Sequence, residues 1–131
     1  MSSTAKRLRT PLKRVQGLGS GHNGTGHFWV QRLTAVALVP LVIWIVMLVL
    51  GLMGQDAFVV RARLAEPLTG TLLVAFIVAT FWHAQLGLQV VIEDYIHTRW
   101  LEVALQVLVK FLAVIGALLA TLSVIRIALG N

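Results

Sequence analysis

The sequence predicts an all-α integral membrane fold built on three transmembrane helices. Three observations predict it. Of the 131 residues, 58% are hydrophobic and 12% are charged, whereas a soluble domain carries about 25% charged residues. The apolar residues fall in three blocks, each reaching the roughly 20 residues a helix needs to cross hydrocarbon. Residues 33–54 contain no ionisable side chain, 67–92 contain only His83, and 103–125 contain only Lys110. The third observation is where the net charge of +6 lies. Residues 1–32 hold Lys6, Arg7, Arg9, Lys13, Arg14 and Arg32 without an acid, and the other five bases and five acids cancel.

Residues 1–32 are therefore expected to be a basic cytoplasmic tail with a glycine-rich linker, and 33–131 a three-helix transmembrane domain. A basic stretch ahead of the first span is the positive-inside pattern and sets the N-terminus in the cytoplasm. With three spans, the 55–66 loop and the C-terminus then lie outside and the 93–102 loop inside. This points to a multi-pass protein of the bacterial inner (plasma) membrane. An acid-free tail with Ser and Arg also fits a mitochondrial targeting segment, which makes the mitochondrial inner membrane the second choice. Because the excess charge sits in one juxtamembrane tail, it calls for membrane lipid and not for nucleic acid. With no cysteine in the chain, disulfides, thiolate nucleophiles and cysteine-held iron–sulfur clusters are excluded.

The linker GLGSGHNGTG contains G-x-G-x-x-G from Gly19. No strand precedes it and no βαβ unit can follow, so the nucleotide fingerprint fails and a connector is expected. His27, Phe28, Trp29 and Arg32 then read as an interfacial anchor for the first span. Pro40 lies about two turns into that span, where neighbouring helices must satisfy the carbonyl it frees. In the third span Lys110 and Arg126 flank an apolar core and can snorkel to opposite faces. No span carries the paired Gly and Pro interruptions of a secondary transporter.

The second span carries the chemistry, in HAQLGLQVVIEDY from His83 to Tyr95. Taken as a helix, Tyr95 lies roughly 18 Å beyond His83. With Tyr95 at the membrane boundary, His83 sits near the bilayer midplane, since half the hydrocarbon thickness is about 15 Å. Asp94 falls within about 20° of His83 around the axis, on a stripe shared with Phe76, Thr80, Gly87 and Val90. One reading of His83 is a polar residue bonded to a neighbouring helix. The other is an axial ligand of haem. Gly87, one turn away, leaves room for a flat macrocycle, and the span holds no other acid or base for a proton relay. His22, His27 and His97 lie near or beyond the boundary, so the chain offers half a haem site. Tyr95 reads either as an aromatic-belt residue or as a donor to a quinone carbonyl. Glu93 and Asp94 end a helix whose dipole disfavours anions, and they need compensation from Arg99, from the third span or from a partner.

Two segments resemble the smaller hydrophobic membrane-anchor subunit of succinate dehydrogenase (succinate–quinone oxidoreductase, respiratory complex II). One is H-x₃-G-x₆-D-Y, carried by His83, Gly87, Asp94 and Tyr95; the other is GTGHFWVQRLTA, from Gly24 to Ala35. The resemblance implies half of a haem-binding helical bundle, completed by a partner subunit, with no catalytic residue in this chain itself. His83 would be one axial ligand of haem b and its iron, and the cytochrome b subunit would supply the other. Tyr95 would donate to a ubiquinone carbonyl and Asp94 would lie beside it. Arg32, with His27, would pair with the haem propionates. The flavoprotein and iron–sulfur subunits would dock on the cytoplasmic face and pass electrons from succinate to quinone, linking the tricarboxylic acid cycle to respiration. A fumarate reductase anchor, running the reaction in reverse, is the alternative within the same chemistry. A structural or transport three-span protein whose His83 only bonds a helix is the alternative outside it.

Overall fold

The structure, a computed structural model, describes residues 24–130. The basic tail and most of the glycine-rich linker, His22 included, lie outside the described residues. The chain divides into two compact units, Met1–Val30 and Gln31–Asn131. Four helices lie among the described residues: α1 (Gly24–Leu52), α2 (Ala57–Ala65), α3 (Pro67–Tyr95) and α4 (Arg99–Leu129). Three of them are long and apolar enough to cross a membrane: α3 and α4 over their full lengths, and α1 over Gly26–Leu52. The all-α, three-span expectation holds.

Helix α1 takes up the GHFWVQR entry expected to lead into the span. No Gly or Pro interrupts it between Gly26 and Pro40, and once a helix is nucleated each added residue gains a hydrogen bond. It stops at Leu52, and Gly54 makes the turn with φ of 77°, a left-handed conformation that costs a glycine little. The 55–66 connection, expected as a loop, contains the nine-residue α2. Its sequence AFVVRARLA lacks Gly and Pro and contains Ala, Arg and Leu, all good helix formers. A helix this short is marginal alone; α2 packs on α4 and, to a lesser extent, on α3.

Glu66 joins α2 to α3. Pro67 disfavours the α conformation in the residue before it, and Glu66 is extended, with φ −60° and ψ 130°. Its backbone N–H closes α2 on the Arg63 carbonyl at 3.4 Å, while its own carbonyl accepts from Gly70 N–H at 2.9 Å. Its carboxylate takes two bonds from Arg63 Nη1, at 2.7 and 2.8 Å, and one from Thr69 Oγ1 at 3.3 Å. Pro67 itself stands at the first helical position, where its missing N–H is not needed. At the far end of the chain, Gly130 caps α4 with φ of 78°, and its N–H donates to Arg126 and Ile127 carbonyls, the expected glycine C-cap. Two hydroxyls on the spans return to their own backbones: Thr71 Oγ1 donates to the Pro67 carbonyl at 2.7 Å and Ser123 Oγ to that of Leu119 at 2.9 Å.

The surface is that of helices covered by something other than water. Leu86 at 5% exposure, Ile92 and Thr69 are the buried residues among those described. Large apolar side chains on all three spans face outward, as lipid or partner helices allow. The most extensive packing joins α3 to α4. There a Cβ at Gly116 would lie 2.5 Å from Phe81 Cε1 and 2.8 Å from Cζ, so the ring can sit against α4 only over a glycine. Phe81 also borders an outer groove with Trp82, Gln85, Ala113 and Ala117, into which the ring can retreat. Gly116→Ala is therefore expected to destabilise the α3–α4 pair by about 1 kcal/mol, the low end of overpacking costs. Its thermal midpoint in detergent should fall, and adding Phe81→Leu should restore it.

Candidate functional site

His83 stands sixteen residues after the start of α3 and twelve before its end, near the middle of a helix about 43 Å long. It is half-buried. Its ring Nδ1 lies 3.1 Å from Thr34 Oγ1 on α1, and the same hydroxyl donates to the Gln31 carbonyl at 3.0 Å. Gly87, one turn further along α3, faces the next turn of α1, where a Cβ on it would lie 4.0 Å from Gln31 Nε2. Gln31, Thr34, His83 and Gly87 therefore form one polar seam between two antiparallel spans. On the same stripe of α3, Thr80 Oγ1 is buried without a hydrogen-bond partner.

The donor set fits a haem better than a bare ion. Among the described residues no three His, Cys, Asp or Glu side chains converge to hold a metal. A macrocycle fills four in-plane positions itself and needs from each side only one imidazole. His83 is a single imidazole of that kind, with its Nδ1 against Thr34 Oγ1.

The far end of α3 is a second polar region. Glu93 is turned toward α4: its carboxylate accepts from Gln89 Nε2 at 2.8 Å and from Gln106 Nε2 at 3.3 Å. Gln106 also reaches Glu102 Oε1 at 3.4 Å, so one amide lies between two carboxylates. Successive helical residues are about 100° apart, which directs Asp94 and Tyr95 away from Glu93. Both are exposed, Tyr95 at 76%. The compensation expected for Glu93 thus comes from amides on α3 and α4, and among the described residues no ion pair joins Arg99 to Glu93 or Asp94. Asp94 shares the His83 stripe but lies roughly 16 Å along the axis, so the helix keeps the two groups apart. Arg32 and His27 are both exposed in the first turns of α1.

Sequence reasoning misses Thr34, Gln31 and Gln106. One signal points to Thr34: it is the only hydroxyl in residues 33–54, and a lone polar group in hydrocarbon needs a partner. Nothing in the spacing of Gln106 marks it as facing Glu93.

The chain matches the family model described as succinate dehydrogenase/fumarate reductase transmembrane subunit over residues 6–122. It is 31% identical over 108 residues to the succinate dehydrogenase hydrophobic membrane anchor subunit of Rickettsia bellii, an alignment covering 82% of this chain and 86% of the relative. The corresponding subunit of Paracoccus denitrificans is 32% identical over 89 residues, 68% of this chain and 69% of the relative. The succinate dehydrogenase membrane anchor subunit of Reclinomonas americana is 28% identical over 95 residues, 70% of this chain and 79% of the relative. With its three spans and a match over most of its length, the chain belongs to the succinate dehydrogenase/fumarate reductase transmembrane subunit family.

Proposed function

We propose that the chain is a membrane-anchor subunit of a succinate–quinone oxidoreductase, supplying one axial ligand to haem b and one wall of a ubiquinone site. The observation that carries this reading is the half-buried imidazole midway along α3, tied through Nδ1 to Thr34, twelve residues before an exposed tyrosine. The names of the Rickettsia and Paracoccus relatives support the dehydrogenase over the reductase direction.

In this reading the cytochrome b subunit provides the second axial histidine, and the outward apolar faces of the spans are where it packs. Haem b, when bound, would supply a one-electron redox centre, held on this chain's side by His83. Arg32, with His27, neutralises the propionates at the cytoplasmic side. The basic tail supports that side as the N-terminal one, so the cytoplasmic end of α3 is also where the iron–sulfur and flavoprotein subunits dock. The Tyr95 hydroxyl donates to a ubiquinone carbonyl as negative charge develops on it. Asp94, beside it and open to water, passes protons toward the site or holds a partner's cation. The bacterial plasma membrane is the expected location.

Three variants of the assembled complex test the assignment. His83→Ala should abolish the b-type α-band, and a band indifferent to that change rejects the ligand. Tyr95→Phe should slow quinone reduction about 10-fold, the worth of one transition-state hydrogen bond, while succinate oxidation by an artificial acceptor stays normal. Equal quinone rates would remove Tyr95 from the site. Gly87→Ala should assemble normally, because its Cβ meets Gln31 at ordinary contact distance, yet hold less haem. Full haem content would show that no macrocycle lies against this glycine.

A further inference from the structure

We propose that Thr34 is the positioning residue for His83, accepting its Nδ1–H and so fixing the tautomer that presents Nε2 to iron. The inference rests on the haem-ligand reading of His83 and goes beyond it, since the ligand itself does not specify what holds its ring.

The argument is a proton count. Thr34 has one hydroxyl hydrogen, and the Gln31 carbonyl 3.0 Å away can only accept. With the hydroxyl donating to that backbone carbonyl, its hydrogen is turned away from the imidazole. The contact at 3.1 Å between Thr34 Oγ1 and His83 Nδ1 is then satisfied only by Nδ1–H donating to an oxygen lone pair. A neutral imidazole carries one N–H, so Nε2 is left as the unprotonated nitrogen. The hydroxyl's own bond to a carbonyl polarises it and makes it a better acceptor.

Metal-bound histidines nearly always donate their other N–H to a carboxylate, carbonyl or water, and that partner fixes ring orientation and basicity. Here a neutral hydroxyl on a different helix fills the role. A threonine withdraws less proton density than a carboxylate, so the ring remains close to neutral imidazole. Such a ring would be a weaker donor to oxidised iron than an imidazolate-like ligand. The bond also joins α1 to α3, and α1 is absent from the helix pairs that pack extensively. Ligand orientation and the seating of the first span are thus one interaction.

The test uses the complete complex carrying Thr34→Val, Thr34→Ser or Thr34→Cys. Redox titration of the α-band gives the haem midpoint potential, and low-temperature EPR gives the low-spin g-values. Thr34→Val removes the acceptor and is expected to raise the potential, shift the g-values and speed haem transfer to apomyoglobin about 10-fold, in line with outer-shell losses. Thr34→Ser should restore the wild-type potential and spectrum, a rescue that a merely space-filling methyl cannot explain. If Thr34→Val fails to assemble, Thr34→Cys keeps the volume with a weaker acceptor and should shift the potential in the same direction. A haem-replete Val or Cys variant with wild-type potential and g-values overturns the proposal while leaving His83 as ligand. A wild-type band that survives His83→Ala unchanged fails the ligand reading instead.

Discussion

A polar side chain in hydrocarbon has no water to fall back on, and an unpartnered one costs several kcal/mol. His83 meets that constraint with Thr34, and Thr34 meets it with the Gln31 carbonyl. The three groups share two hydrogens without leaving a clash of donors or acceptors. That arrangement lets an imidazole occupy the middle of a span while one of its nitrogens stays out of the network. It also fixes how α1 and α3 meet, since the residues that pair in the seam run in opposite directions, Gln31 beside Gly87 and Thr34 beside His83.

The rest of the bundle is unevenly held. The α3–α4 pair packs closely enough that Phe81 needs Gly116 beneath it, whereas α1 leans on a polar seam. Between α2 and α3, Pro67 forces the break, and Glu66 uses that extended turn to end one helix and begin the next. The short α2 is thereby pinned to the head of α3. Large apolar side chains remain outward on all three spans. A chain with one mid-span imidazole and three uncovered faces suits half of an assembly, in agreement with its family.

Much of this is legible in the sequence because bilayers impose simple rules. Three blocks with at most one ionisable residue each mean three spans, and the offset of twelve residues from His83 to Tyr95 sets their separation along one helix. The glycine at 87 reads as room for a flat macrocycle, and a Cβ there would lie 4.0 Å from Gln31 Nε2. The 55–66 connection reads as a loop, and its helical propensity is realised by packing on α4 and, to a lesser extent, on α3. The partners of His83 and Glu93 are not legible, since pairing across helices depends on rotation and register. No one-dimensional period records these. Thr34 is the exception in kind: a single hydroxyl in a long apolar run advertises that some other polar group must come to it.

Placing both candidate groups on one helix has a mechanical consequence. Helix geometry fixes Tyr95 roughly 18 Å along the axis from His83 and at a set angle around it. An inserted residue would shift that distance by only about 1.5 Å but rotate one group by about 100° relative to the other. Rotation is therefore the coordinate that must be held, and α3 is held at both places that matter. Thr34 grips it at His83, and Gln106 grips it at Glu93. Glu93, itself exposed, bonds to Gln106 on α4, and Asp94 and Tyr95, further round the helix, are exposed as well. The carboxylate that looks like a burden at a helix C-terminus is thus one of the groups that tie this end of α3 to α4.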